Sequence, residues 1–202
     1  FLIRYTSFLI VAFTYYAFIK AEHKKEYYKN QLERMAWHDQ LTNLLNRSKF
    51  IELIENKRSI TTKNQFIALI DIDHFKNIND TYGHFAGDHV LIRLSSIFAE
   101  QMKQITIVAR YGGEEFNIYL EADTFDEAIV TLENLRQQVR STPFEIDDKH
   151  HIHLSISIGL AQLEKHTMLK DVIHTADQHL YIAKERGRDR LISSYHVDLV
   201  YS

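Results

Sequence analysis

The run FIALIDI, Phe66 to Ile72, reads as a buried strand that carries Asp71 near its end, with Asp73 just beyond. A bare buried charge is very costly, so carboxylates in that place need partners or a metal. Further on, Ile105 to Tyr111 and Glu115 to Leu120 read as strands joined at Gly112-Gly113, the dipeptide of a tight hairpin. If these strands are neighbours of the first, Asp71, Asp73, Glu114 and Glu115 converge at one end of a sheet. Hard oxygen ligands favour magnesium, usually held by one or two carboxylates plus substrate phosphates. Spacing alone leaves the alternative open that these acids are solvated turn residues.

Outward from this centre the chain alternates short strands and helices. Ser48 to Asn56, Gly87 to Gln101, Asp126 to Arg140 and Leu169 to Arg186 read as helices, the last ended by Gly187. His151 to Leu160 (HIHLSISIGL) alternates and reads as one strand, and Leu191 to Ser193 as a short last one. The expected fold is an α/β (α+β) sandwich with a mainly antiparallel central sheet flanked by helices. The stretch Asn79 to His84 reads as a polar loop opening a helix, able to bind a base or phosphates. Asp88 then falls in the first turn of that helix. It could read the N1 and N2 protons of guanine or simply complement the helix dipole.

The 202 residues allow one domain with an extension, or two small domains. Apolar residues make up 45% and charged residues 25%, an ordinary globular balance. A net charge of -3 gives no electrostatic grip on nucleic acid. The absence of Cys excludes disulfides, thiolate nucleophiles and Cys-bound zinc, and fits a reducing compartment. No P-loop or protease constellation is present.

The N-terminal part has a different texture. Ser7 to Ile19 is almost wholly apolar and aromatic, and Lys20, Lys24, Lys25 and Lys29 follow it. Residues 1–20 are therefore expected to be the cytoplasmic end of a transmembrane helix, in a protein longer than this sequence. A buried helix or a signal peptide would also fit such a run. Residues 21–38 read as a connecting signalling helix, with Tyr28, Leu32 and Met35 as a narrow apolar stripe suited to a partner helix. Residues 39–202 would then form the catalytic domain.

Five stretches in order carry a resemblance. Asp39-Gln-Leu-Thr-Asn-Leu-Leu-Asn-Arg47 resembles DxLTxLxNR, and Asp71 to His84 (DIDHFKNINDTYGH) resembles DxDxFKxxND..GH. Gly87-Asp88, Arg110 to Phe116 (RYGGEEF) and Ala176 to Arg188 (ADQHLYIAKERGR) continue the series. Together they resemble the GGDEF domain of diguanylate cyclases, in its GGEEF variant.

The resemblance implies a magnesium (or manganese) enzyme, two ions per half-site, that condenses two GTP into cyclic di-GMP as a homodimer. It implies Asp71, Glu114, Glu115 and the Ile72 carbonyl at the metal, with Glu115, Glu114 and Asp71 as the catalytic acids. It also implies guanine reading by Asn79 and Asp88. Phosphate contacts would come from Lys76, Lys184, Arg188 and the amides of His74 and Phe75, and Gly112 and Gly113 would allow close approach of the hairpin. The implied location is the bacterial inner membrane, with the catalytic domain in the cytoplasm. A GTP-binding regulatory module without turnover is the alternative.

The chain departs from the pattern where many members carry an inhibitory RxxD. Here the positions read Lys103-Gln104-Ile105-Thr106, so no product inhibition through that motif is expected. His150, His151 and His153 have no accompanying acid cluster and read as exposed strand residues, while Glu100, Glu121 and Glu127 read as solvated surface.

Overall fold

Residues 64 and 65 lengthen the FIALIDI strand at its start, so that Asn64–Ile72 forms β2, buried from its second residue onward. The structure is a computed structural model that describes residues 2–57, 62–101, 106–147 and 150–195, with the backbone alone for residues 2–12 and 147. The chain divides into two units, Phe1–His38 and Asp39–Ser202.

The first unit is one helix, α1, Leu2–Trp37. It contains no Gly or Pro to interrupt it. Tyr28, Leu32 and Met35 all expose their side chains. Among the described residues no helix is long and apolar enough to cross a membrane, so the transmembrane expectation for residues 1–20 gains no support.

In the second unit the elements run β1 (Leu45–Asn46), α2 (Arg47–Lys57), β2, α3 (Phe75–Tyr82), α4 (His84–Gln101), β3 (Thr106–Arg110), β4 (Glu115–Ala122) and α5 (Phe125–Ser141). They continue with β5 (Phe144–Asp147), β6 (His150–Ile152), β7 (Ile156–Leu163), α6 (Leu169–Glu185) and β8 (Leu191–Ile192). The main sheet has the order β1-β3-β4-β2-β7-β8, and β5 and β6 form a separate ribbon. The central pairs β2–β4, β2–β7 and β3–β4 are antiparallel, while β1–β3 and β7–β8 are parallel. This is the mixed α/β sandwich expected from the sequence.

The period-two alternation of β2 sorts the core into two layers. Phe66, Ala68, Ile70 and Ile72 pack with α3, α4 and α5, whereas Ile67 and Leu69 pack with α2 and α6. Burial on both faces explains why FIALIDI is continuously apolar rather than alternating. At the start of α5, Thr124 Oγ1 accepts from the Glu127 amide at 3.1 Å, and Glu127 Oε2 accepts from the Asp123 amide at 2.7 Å. Glu127 is thus part of a helix cap. Glu121, also expected as solvated surface, accepts from the Tyr119 hydroxyl at 2.7 Å and from Lys57 Nζ at 3.1 Å.

Two other expectations are corrected. Asn79 to His84 is not a loop: residues through Tyr82 form α3, Gly83 turns at φ 85°, and α4 begins at His84. Asp88 is therefore the fifth residue of α4, beyond the turn where the helix dipole acts. His151 to Leu160 is not one strand either. It breaks after Ile152, because its first part pairs with β5 in the separate ribbon whereas its second part, β7, pairs with β2 in the main sheet.

Helix α6 lies directly on β7 at Gly159. A Cβ there would stand 2.0 Å from the Ala176 carbonyl oxygen and 2.3 Å from the Leu180 amide nitrogen. Gly159→Ala is expected to cost about 3 kcal/mol, the upper part of the overpacking range, since only backbone can yield. Gly113→Ala, where a Cβ meets nothing within 4 Å, is the control. Denaturant unfolding of both variants checks this, and equal midpoints would refute the close approach.

Candidate active site

Antiparallel pairing of β2 with β4 sets Asp71 opposite Glu115, and pairing with β7 sets it opposite Ser157. Asp71 is 5% exposed, and its Oδ2 is 2.8 Å from Lys184 Nζ on α6. Burial pushes the Asp71 carboxyl above its ordinary pKa, against the pull of the Lys184 ammonium and of the more distant Arg188. Burial likewise raises Glu114, with the negative charges of Asp71 and Glu115 acting in the same direction. Asp71, Glu114, Glu115, Lys184 and Arg188 therefore occupy one electrostatic neighbourhood at the end of the sheet.

The hairpin that carries the two glutamates is fastened at its base. Arg110 donates to the Gly113 carbonyl through Nη2 at 2.7 Å and to Asp39 Oδ1 through Nη1 at 3.0 Å. Asp39 also accepts from the Thr42 amide and hydroxyl at 2.9 and 2.7 Å. Burial opposes its charge, but the Thr42 and Arg110 hydrogen bonds outweigh that and hold its pKa below the ordinary value. The entry motif thus anchors the signature motif. At the tip, the Tyr111 amide donates to the Glu115 carbonyl at 2.8 Å. A Cβ on Gly112 would stand 2.6 Å from Glu115 Oε2, so the glycine lets that carboxylate fold over the turn.

The α3–α4 pair lies on the other face of the sheet. Asn79 presses its carboxamide against Gly87, where a Cβ would stand 2.0 Å from Oδ1. Asp88 follows one residue on and is half-buried, while Lys76 is exposed. His74 takes a left-handed conformation, φ 58°, at the start of α3, and Phe75 is buried beneath it. Ile72 is fully buried. Arg188, also left-handed at φ 65°, follows Gly187 and points Nη1 at the Lys184 carbonyl, 3.5 Å away.

Asp73 behaves differently from its neighbour. Its carboxylate accepts from the Ser157 and Ser155 hydroxyls, both at 2.6 Å, and from the Asp189 amide at 3.0 Å. The Asp189 side chain in turn pairs with Arg136 and Arg140 of α5. Sequence reasoning grouped Asp73 with the metal-seeking acids and missed Ser155, Ser157 and Asp189 altogether. A buried acid whose strand partner carries SIS offered a signal: serines on the strand facing a carboxylate are donors for it.

Among the described residues no three acidic or imidazole side chains gather as a metal cage. Two carboxylates raised chiefly by burial, Asp71 and Glu114, nevertheless match a magnesium site completed by substrate phosphates. Lys103 to Ile105 of the missing RxxD lie outside the described residues, and Thr106 opens β3.

The family model described as "Diguanylate cyclase, GGDEF domain" matches residues 36–190. Diguanylate cyclase DosC of Escherichia coli is 40% identical over 158 residues, 76% of this chain and 34% of that protein. Diguanylate cyclase DgcP of Pseudomonas aeruginosa is 37% identical over 156 residues, 76% of this chain and 23% of that protein. The chain thus spans about a third or less of these relatives. Among solved structures it resembles the coiled coil and GGDEF domain of DgcB from Caulobacter crescentus in complex with c-di-GMP. That match has a TM-score of 0.80 and 29% identity over 88% of this chain and 95% of that one. The GGDEF domain of DgcB alone, also with c-di-GMP, matches at TM-score 0.73 and 31% identity, over 79% and 96%. The fold is an α/β domain with an acidic hairpin at the end of its sheet. The chain belongs to the GGDEF-domain family of diguanylate cyclases.

Asp73→Ala is expected to lower stability by about 3 kcal/mol, since it strands the buried Ser157 hydroxyl, the half-buried Ser155 hydroxyl and the Asp189 amide. The raised carboxyls give a signed pH effect. The folded state binds protons at Asp71 and Glu114 more tightly than the unfolded chain does. The stability they contribute is complete below about pH 4 and is lost as the pH rises through their raised values. In EDTA, Glu114→Gln should therefore gain in Tm over the parent chain as the pH rises from about 4 to 7. A Tm difference independent of pH would show that Glu114 titrates as an ordinary surface acid.

Proposed function

We propose that the chain condenses two GTP into cyclic di-GMP and two pyrophosphates, working as a homodimer with one GTP held by each copy. The observation that carries this is the meeting of Asp71, Glu114 and Glu115 with Lys184 and Arg188 at the end of the sheet. Acids able to hold a metal thereby stand beside cations able to hold phosphates.

Asp71, Glu114 and the Ile72 carbonyl would hold magnesium or manganese, with Glu115 beside them. Held there, such an ion would supply Lewis-acid stabilisation to the attacking 3′-hydroxyl and to the charge on the departing pyrophosphate. The protein's own share is positioning and electrostatics. Lys184, tethered to Asp71, keeps two further N–H donors for phosphate oxygens. Arg188 and Lys76 add charge around the polyphosphate, and the amides of His74 and Phe75 at the start of α3 supply donors. Asn79 and Asp88, set side by side across Gly87, read the guanine edge. Gly112 and Gly113 leave room for the nucleotide over the hairpin.

Pairing of α1 with α1 of a second copy, through Tyr28, Leu32 and Met35, would bring two half-sites together. The Cys-free composition suits a cytoplasmic location for the catalytic unit. Membrane attachment has no support in α1 and is not part of this proposal.

Incubation of the purified chain with GTP and magnesium, with product analysis by chromatography and mass detection, is expected to yield cyclic di-GMP. Glu114→Ala with Glu115→Ala should remove the activity by at least about 100-fold. No product at concentrations where dimers are present would leave a GTP-binding module without turnover. Removal of residues 1–38 should lower activity at low protein concentration and restore it at high concentration. Activity of the truncated chain undiminished at low concentration would show that α1 does not drive pairing.

A further inference from the structure

A groove of about 350 Å³ opens between the signature hairpin and α6, on the opposite face of the sheet from Asn79 and Asp88. Arg47 and Tyr111 form one wall, the guanidinium 4.6 Å from the ring centre. Ile173 and Leu180 line the α6 side, with Lys170 at the rim.

The floor contains a residue that the fold does not explain. Asn117 lies on β4 between Leu69 of β2 and Ala109 of β3, both members of the apolar layer under α2 and α6. It is 1% exposed, and neither Oδ1 nor Nδ2 has a hydrogen-bond partner. An unpaired buried carboxamide destabilises a fold, and an aliphatic residue would suit its neighbours better. Departures from local consistency of this kind concentrate at functional sites.

We propose that the groove binds a small anion of the nucleoside monophosphate class, and that the edge of its planar base pairs with Asn117. A carboxamide offers a donor and an acceptor side by side, and its complement is a ring edge that does the same. Ile173 and Leu180 receive the ring, as apolar walls do in small-molecule sites of this size. Arg47 and Lys170 receive the phosphate, Arg47 through its planar fork. Asp177 and Glu115 also line the groove. Their charges repel a longer polyphosphate, which restricts the ligand to one phosphate.

An occupant would touch Tyr111 and Glu115, the two ends of the hairpin turn. Insofar as the proposed cyclase reading holds, it would bias the placement of Glu115. Binding itself does not depend on that reading.

The test is calorimetric titration of the whole chain with uridine monophosphate, a probe that the guanine-reading residues do not match. Saturable binding is expected. 3-Methyluridine monophosphate, whose N3 proton is replaced, should bind about tenfold or more weakly, the worth of one lost edge pair. Asn117→Leu should abolish binding and raise Tm by about 2–6 °C, because the unpaired carboxamide is gone. Asp88→Ala should bind uridine monophosphate as the parent chain does. Absence of saturable binding, retained binding by Asn117→Leu, or loss of binding in Asp88→Ala would each overturn the proposal. So would a lower Tm for Asn117→Leu, which would mean that an internal water already satisfies the carboxamide. An inactive chain that binds the probe in this pattern would sink the cyclase reading and leave the groove standing.

Discussion

The Asp73 carboxylate, closed off from water, is the point at which the site end of the sheet is tied together. It draws in Ser155 and Ser157 from the start of β7 and the Asp189 amide from the loop after α6. Asp71 stands two residues earlier, still within β2, and Arg188 immediately precedes Asp189. One buried charge thus fixes the spacing between an acidic strand end and a cationic loop. Burying it is tolerable because three donors answer it. Arg136 and Arg140 extend the tie to α5 through the Asp189 side chain, so four elements share one polar knot in an otherwise apolar sandwich.

Much of this was legible from the residues. FIALIDI gave the central strand because a stretch buried on both faces must be apolar throughout, and Gly112-Gly113 gave the hairpin. The convergence of Asp71 with Glu115 followed from those two readings and is a matter of register. What could not be read was a change of strand partner. HIHLSISIGL alternates like a single strand, yet its first residues pair with β5 and its last with β2, and the strand breaks between them after Ile152. Helix α3 was also missed. It is eight residues long and buries only Phe75 and Ile78, so its pattern is shorter than the window in which helical periodicity shows.

Charge and space divide the work around the hairpin. Arg110 and Asp39 set the base, and both are satisfied by neutral or opposite partners. Beside the tip the chain does the reverse: burial first, with like charges adding to it, makes Asp71 and Glu114 hold protons more tightly than ordinary carboxyls. A fold that secures the base of a loop and leaves its tip electrostatically unsettled keeps the geometry of the site while its charge stays available to a ligand.

The contact at Gly159 has a consequence of another kind. Lys184 is displayed by α6, and α6 rests on the sheet backbone to backbone, through the space that one methyl group would fill. A single-nucleotide change at that codon would lift the helix without altering any residue of the five recognisable motifs. Genomes can therefore hold copies of this domain that read as intact and are mechanically disarmed. A census of such genes made by motif alone would overcount the working ones.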